Sequence, residues 1–195
     1  NYQFKHAPYE YSTRYNMISV ARIGPDNRLY FAIMYSKSIY TLDTKTGKVE
    51  DMGWYLPTDR YSPDENRHGI FGMDFDNKGV LWYAVTSLNN YESNVEHGIP
   101  ASLFRWDIAR GGKPEWAGIL GTPERGGAWI SEVSIYKKDN ILYAANSNHS
   151  LDGPGLIGID LNIFEPTMKN MTEPLTDKYF DPTDPGYIES NTFIH

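Results

Sequence analysis

Three of the five histidines stand in polar, glycine- or asparagine-flanked stretches: His68 in Asn66-Arg67-His68-Gly69, His97 in Val95-Glu96-His97-Gly98, and His149 in Asn146-Ser147-Asn148-His149-Ser150. An imidazole in such a place can exchange a proton near neutral pH. Arg67 and Arg125, with Arg14, Tyr15, Tyr35 and Lys37, add cationic and phenolic groups near the same stretches, and Trp129 adds an indole. Abstracting the proton α to a uronate carboxylate needs a cation to neutralise that carboxylate and a base to take the proton. Arg67 and Arg125 suit the first task, and His68, His97, His149 or Tyr15 the second. Trp129, Asn16 and Asn146 complete the substrate-binding candidates. Each residue also has a plainer use: a loop histidine is commonly solvated, Trp129 can lie as a lid on a sheet edge, and Arg67 and Arg125 can pair with Asp64, Glu65 or Glu124.

What must position these groups is a repeat. Arg28-Leu29-Tyr30-Phe31-Ala32, Val80-Leu81-Trp82-Tyr83-Ala84 and Ile141-Leu142-Tyr143-Ala144-Ala145 are one strand written three times. Each follows a turn rich in Asp, Asn and Gly: Gly24 to Asn27, Asp76 to Gly79, and Lys137 to Asn140. Such turns join antiparallel strands, so Ile18 to Ile23, Ile70 to Phe75 and Ile130 to Tyr136 are expected as first strands. Third strands ending in Asp run from Ser38 to Asp43, Ser102 to Asp107 and Gly155 to Asp160. Fourth strands are expected at Val49 to Met52, Glu115 to Ile119 and Met168 to Met171. The terminal aspartates read as structural, because each can accept N–H groups of the following turn.

This grammar predicts an all-β chain: a β-propeller segment of about three four-stranded blades, at 15–57, 68–123 and 129–177. A further inner strand is expected to begin at 188–195, and three blades do not close a ring, so the chain reads as part of a larger propeller. A sandwich also has short strands but no reason to repeat this order three times. The second-to-third-strand connection lengthens from Leu29–Asp43 to Leu81–Asp107 and Leu142–Asp160, while the first turns stay short. One end of the scaffold is thus decorated, and the candidate residues fall there. By strand count Asn16, His68 and Trp129 are expected at one rim position of successive blades.

From Tyr15 to Met171 the blade grammar resembles the broad superfamily of sugar- and lactone-processing propellers, including the SMP-30/gluconolactonase-like proteins and the propeller polysaccharide lyases and rhamnosidases. The resemblance implies an architecture and not one chemistry.

Composition narrows the partners. With 18 basic against 25 acidic residues and a net charge of −7, no field holds a polyphosphate backbone, so nucleic acid is excluded. No apolar run reaches the ~20 residues of a membrane span. The absence of cysteine removes disulfides and thiolate chemistry. Two readings therefore stand: a carbohydrate-active protein, lyase or hydrolase, acting on an acidic saccharide, and a non-catalytic propeller binding glycan or protein. A metal-dependent lactonase ranks lower, because its available carboxylates and amide, Glu132, Asp74 and Asn16, do not share a register position. The expected partners are a saccharide or other small polar ligand and the remaining blades. No cofactor is indicated, and the expected location is secreted or periplasmic.

Overall fold

The computed structural model describes residues 17–34, 36–56, 68–87, 101–120, 130–146 and 155–164. Among them the strands are β1 (Ile18–Ile23), β2 (Leu29–Ile33), β3 (Ser38–Leu42), β4 (Val49–Trp54), β5 (His68–Phe75), β6 (Leu81–Ser87), β7 (Ser102–Trp106), β8 (Glu115–Ile119), β9 (Ile130–Tyr136), β10 (Ile141–Asn146) and β11 (Gly155–Asp160). One short 3-10 turn, Ile108–Arg110, is the helical element among the described residues. The strands pair in chain order into antiparallel sheets β1-β2-β3-β4 and β5-β6-β7-β8, followed by β9-β10-β11. The expected fourth strand at Met168 to Met171 and the new inner strand near Ser190 lie outside the described residues.

Local chemistry explains the repeats. Asn27, Gly79 and Asn140 occupy the same place in the three first turns, and all have positive φ: 62°, 81° and 56°. Asn and Gly tolerate that region best. The aspartates act largely as expected. Asp43 Oδ1 accepts the N–H groups of Lys45 and Thr46 at 2.8 and 3.1 Å, and these bonds, Lys45 first, hold its carboxyl below the usual value. Asp160 Oδ1 accepts Asn162 N–H at 2.9 Å. Asp107 differs, pairing with the Arg110 guanidinium at 2.9 Å while its carbonyl accepts Gly112 N–H.

The three sheets stack face to face. Tyr30, Ala32, Ile39, Tyr55 and Leu56 of the first pack on Ile70, Met73, Tyr83, Phe104, Trp106 and Trp116 of the second. The opposite face of the second packs through Trp82, Ala84, Leu103 and Ala117 on Val133, Leu142, Ala144 and Ile159 of the third. The first strands lie side by side, β5 between β1 and β9. Consecutive four-stranded meanders stacked with their first strands innermost are propeller blades. The fold is a β-propeller segment.

Side chains of the first and second strands lock neighbouring blades. Ser19 Oγ donates to the Ile70 carbonyl at 2.6 Å, and Thr86 Oγ1 accepts Ile130 N–H at 3.1 Å. Asp74 accepts Ile135 N–H at 2.8 Å and pairs with Lys137 at 3.0 Å. Gly72 lies so close to β9 that an added Cβ would collide with the backbone of Glu132 and Val133. At the short-turn end Asn77 Nδ2 donates across to the Lys137 carbonyl at 2.6 Å, while within blade 2 Arg110 ties the two turns together by donating to the Lys78 carbonyl at 2.6 Å.

Candidate functional site

Antiparallel topology assigns every connection to one of two ends. The first turns and the third-to-fourth-strand turns share the short-turn end. The opposite end gathers the remaining strand termini: Ile18, Ile33, Ser38 and Trp54 of blade 1, His68, Ser87, Ser102 and Ile119 of blade 2, and Ile130, Asn146 and Gly155 of blade 3. These termini bound the stretches 57–67, 88–100, 121–129 and 147–154, which carry Arg67, His97, Arg125, Trp129 and His149. Those five residues, with Tyr15 and Asn16, lie outside the described residues.

Two of the expected site residues are described. His68 opens β5, its backbone opposite Ser87. Asn146 closes β10, buried, between Ile130 and Gly155. They therefore stand at the same end of adjacent blades. The pairing also corrects the rim alignment. Ile18, Ile70 and Ile130 occupy equivalent register positions, each followed by one extra, bulged residue, Ser19, Phe71 or Ser131. Counting back from them, the position of His68 corresponds to Asn16 and Ala128, and Trp129 corresponds to Gly69 and Met17. Because all three blades share the bulge, the shift comes from the first turn of blade 3, which puts six residues between Ile135 and Leu142 where blades 1 and 2 have five between Ile23 and Leu29 and between Phe75 and Leu81.

The carboxylates weighed as metal ligands have other uses. Asp74 serves Phe75 N–H, Ile135 N–H and Lys137. Glu132 accepts Val133 N–H at 3.0 Å and pairs with Arg22 of blade 1 at 2.6 Å. No group of three or more His, Asp or Glu able to hold a metal occurs among the described residues.

Lys37, one of the cationic groups singled out in the sequence, has a ring partner at the rim, Trp54, that the sequence reading missed. The Lys37 ammonium, between β2 and β3, lies 4.7 Å from the ring centroid of Trp54 at the end of β4. Trp54 is 48% exposed; leaving half an indole in water forgoes roughly 1–2 kcal/mol of burial energy. An exposed cation–π contact returns about 0.5–1 kcal/mol. Its orientation comes from a bulge: Gly53, at φ 103°, pairs with Ile39, while Asp51 pairs with Tyr40, so Met52 is the extra residue. Trp54 consequently pairs with Ser38 and falls on the face turned away from blade 2. The signal was the glycine inside a strand pattern, which marks a bulge and a re-aimed neighbour.

No protein-family model matches the chain, and no curated protein matches it in sequence. Several solved structures are similar. The PQQ-bound aldose sugar dehydrogenase from Streptomyces coelicolor is 18% identical with a TM-score of 0.48, covering 85% of this chain and 52% of its own. A catalytically inactive virginiamycin B lyase from Staphylococcus aureus, solved with quinupristin, is 17% identical with a TM-score of 0.45, over 80% of this chain and 45% of its own. The extracellular domain of a hybrid two-component system from B. thetaiotaomicron is 16% identical with a TM-score of 0.46, over 94% of this chain and 19% of its own. The chain thus spans about half or less of each of these three proteins. No chemistry passes from them at these identities, and the propeller assignment stands on the sheets' own topology and packing. Among the described residues no helix is long and apolar enough to cross a membrane, which says nothing of β-barrels.

Proposed function

We propose that this propeller segment binds or acts on an acidic saccharide at the end opposite the short turns. One observation carries the reading: the strand termini that bound the stretches holding Arg67, His97, Arg125, Trp129 and His149, together with His68 itself, lie at one end of the blades. A carboxylate-bearing ligand on a chain of net charge −7 needs a local positive basin. In the assignment proposed, Arg67 and Arg125 hold the carboxylate and Trp129 stacks on a sugar face. Asn16 and Asn146 supply hydrogen bonds to hydroxyls. His68 is the first choice for the base, because a strand terminus is held more rigidly than a loop tip; His97, His149 and Tyr15 are the others. In eliminative cleavage the base removes the proton α to the carboxylate, the glycosidic oxygen leaves with its electron pair, and the chain ends in an unsaturated sugar.

The same reading makes the three blades part of a larger ring. Its support is the far face of blade 3, where Tyr136 is 49% and Leu156 67% exposed, an apolar surface of the kind that a neighbouring blade covers.

The test is His68→Ala in the full-length protein, assayed for ultraviolet absorbance of unsaturated product and for reducing ends on a panel of uronate polymers. A fall of about a hundredfold with folding intact supports proton transfer by His68. Cleavage at the wild-type rate removes His68 from the chemistry. Binding without cleavage by the wild type favours the non-catalytic reading.

A further inference from the structure

We infer that Lys37 and Trp54 form a separate subsite for one acidic sugar residue at the loop end of blade 1; this rests on the acidic-saccharide reading above. Blades 1 and 2 share a local frame. In blade 1 the Lys37 carbonyl accepts Tyr55 N–H at 2.9 Å, and in blade 2 the Ala101 carbonyl accepts Leu120 N–H at 2.9 Å. Ser38 pairs with Trp54 as Ser102 pairs with Ile119. Gly53 and Gly118, at φ 103° and 137°, sit at the same bulge. The frame is thus a property of the blade, whereas the groups mounted on it differ. Blade 2 carries a buried alanine and an isoleucine where blade 1 carries an ammonium and an indole in contact.

A second difference separates a binding platform from an apolar surface awaiting a sheet. The outer-strand position opposite Tyr40 is Asp51, exposed, while its counterpart opposite Phe104 is Trp116, buried against blade 1. Sheet-on-sheet packing at this outer region therefore has an indole in blade 2, and blade 1 has a carboxylate there, its Oδ1 accepting Gly53 N–H at 2.8 Å. Trp54 sits next to a position built for water.

The pair is also firmly mounted. Ser36 Oγ lies 3.1 Å from the Tyr40 phenol and accepts Ser38 N–H at 3.2 Å, and the Tyr55 carbonyl accepts the buried Tyr83 phenol at 2.6 Å. Both side chains thus leave from backbone that is pinned to the blade core, as a recognition element requires. An indole offers a flat apolar surface to the C–H face of a pyranose, and an adjacent ammonium offers a charge-assisted hydrogen bond to a carboxylate. Together these select a uronate over a neutral sugar.

Titration calorimetry of the full chain with trigalacturonate, trimannuronate and neutral maltotriose tests this, using Trp54→Ala, Trp54→Phe and Lys37→Met with folding checked by circular dichroism. The expected result is about tenfold weaker uronate binding in Trp54→Ala and Lys37→Met, partial recovery in Trp54→Phe, and less loss for maltotriose than for uronates in Lys37→Met. Uronate binding by the wild type that neither Trp54→Ala nor Lys37→Met weakens overturns the subsite and leaves the broader reading standing. Absence of uronate binding by the wild type overturns both.

Discussion

The two blade interfaces are built from the same repeat and filled in opposite ways. Between blades 1 and 2, Tyr83 and Phe104 stack with centroids 5.6 Å apart, Tyr55 meets Tyr83 edge-on at 6.5 Å, and Tyr30 meets Phe75 edge-on at 5.1 Å. Between blades 2 and 3 the core is mostly aliphatic, with Ala84, Ala101, Ala117 and Ala144 beside Leu103, Val133 and Leu142, and with Trp82 against Phe164 as the one ring pair described. The switch is traceable to single positions. Phe31 and Tyr40 of blade 1 stack at 5.6 Å, as do their counterparts Tyr83 and Phe104 of blade 2, but the corresponding pair in blade 3 is Ala144 and Ile157. Rings fill a wide gap and need anchors for their hydroxyls, which the Tyr55 carbonyl provides for Tyr83. Small side chains let backbones approach, and β5 and β9 meet at Gly72 with no room for a Cβ. Strand order is set by the repeat, and the spacing between blades by the size of the side chains on the facing surfaces.

The sharpest way to break this contrast is a matched pair on one strand. Phe104 and Leu103 are adjacent, both fully buried, and belong to opposite interfaces. Phe104→Ala should cost ~3–5 kcal/mol and Leu103→Ala ~2–4 kcal/mol, read from equilibrium urea unfolding. A larger loss for Leu103→Ala would show that the aliphatic interface is the tighter one energetically. Carrying the aromatic solution across should fail: Ala144→Tyr, which copies blade 2 into blade 3, is expected to lose ~1–3 kcal/mol by overpacking. Unchanged stability in that variant would mean that the second interface has slack.

Alkali should attack the two interfaces unequally. Burial raises the Tyr83 phenol well above its usual value, and burial followed by the hydrogen bond to Asp26 does the same for Tyr30. Above pH ~10 the unfolded chain releases these protons and the folded chain does not, so stability falls by up to ~1.4 kcal/mol per pH unit through the fully buried Tyr83, and by less through Tyr30, whose bond to Asp26 is only part-buried, until the folded values are reached. Tyr83→Phe should flatten that decline while costing ~1 kcal/mol at neutral pH through the lost bond to the Tyr55 carbonyl. An identical alkaline profile in Tyr83→Phe would remove Tyr83 from the effect. The smallest change is expected at the exposed third-to-fourth-strand turn. Asp43, held below its usual value, stabilises the fold above the ordinary carboxylate range and loses that contribution as pH falls through its folded value. Asp43→Asn should be slightly less stable at neutral pH and less acid-sensitive, and an acid profile parallel to the wild type would contradict the assignment.

Much of the scaffold was legible in the sequence because strand, turn and terminal Asp recur at positions fixed by backbone needs. The expected segments Ile130 to Tyr136, Glu115 to Ile119 and Gly155 to Asp160 coincide with β9, β8 and β11. Others were cut short by two or three residues, as at Val49 to Met52 and Val80 to Ala84, where glycine or the approach of a long connection masks the strand end. The bulges at Ser19, Phe71 and Ser131 were not legible, because one added residue leaves composition and turn signals unchanged. The site was legible only as an end of the scaffold. Which side chains meet there depends on long connections with no periodic pattern, and the Lys37–Trp54 contact depends on the bulge at Met52 and Gly53.

The ion pair between Arg22 and Glu132 joins residues 110 apart in sequence and two blades apart in space. Closing so long a loop is entropically expensive, and nothing local repays it until the second blade has docked on both neighbours. The pair is therefore expected to form late in assembly, after the folding barrier has been crossed. Its loss should leave the folding rate nearly untouched and speed unfolding, so that two charged residues on separate inner strands act as a latch on the lifetime of the stacked blades rather than on how quickly they form.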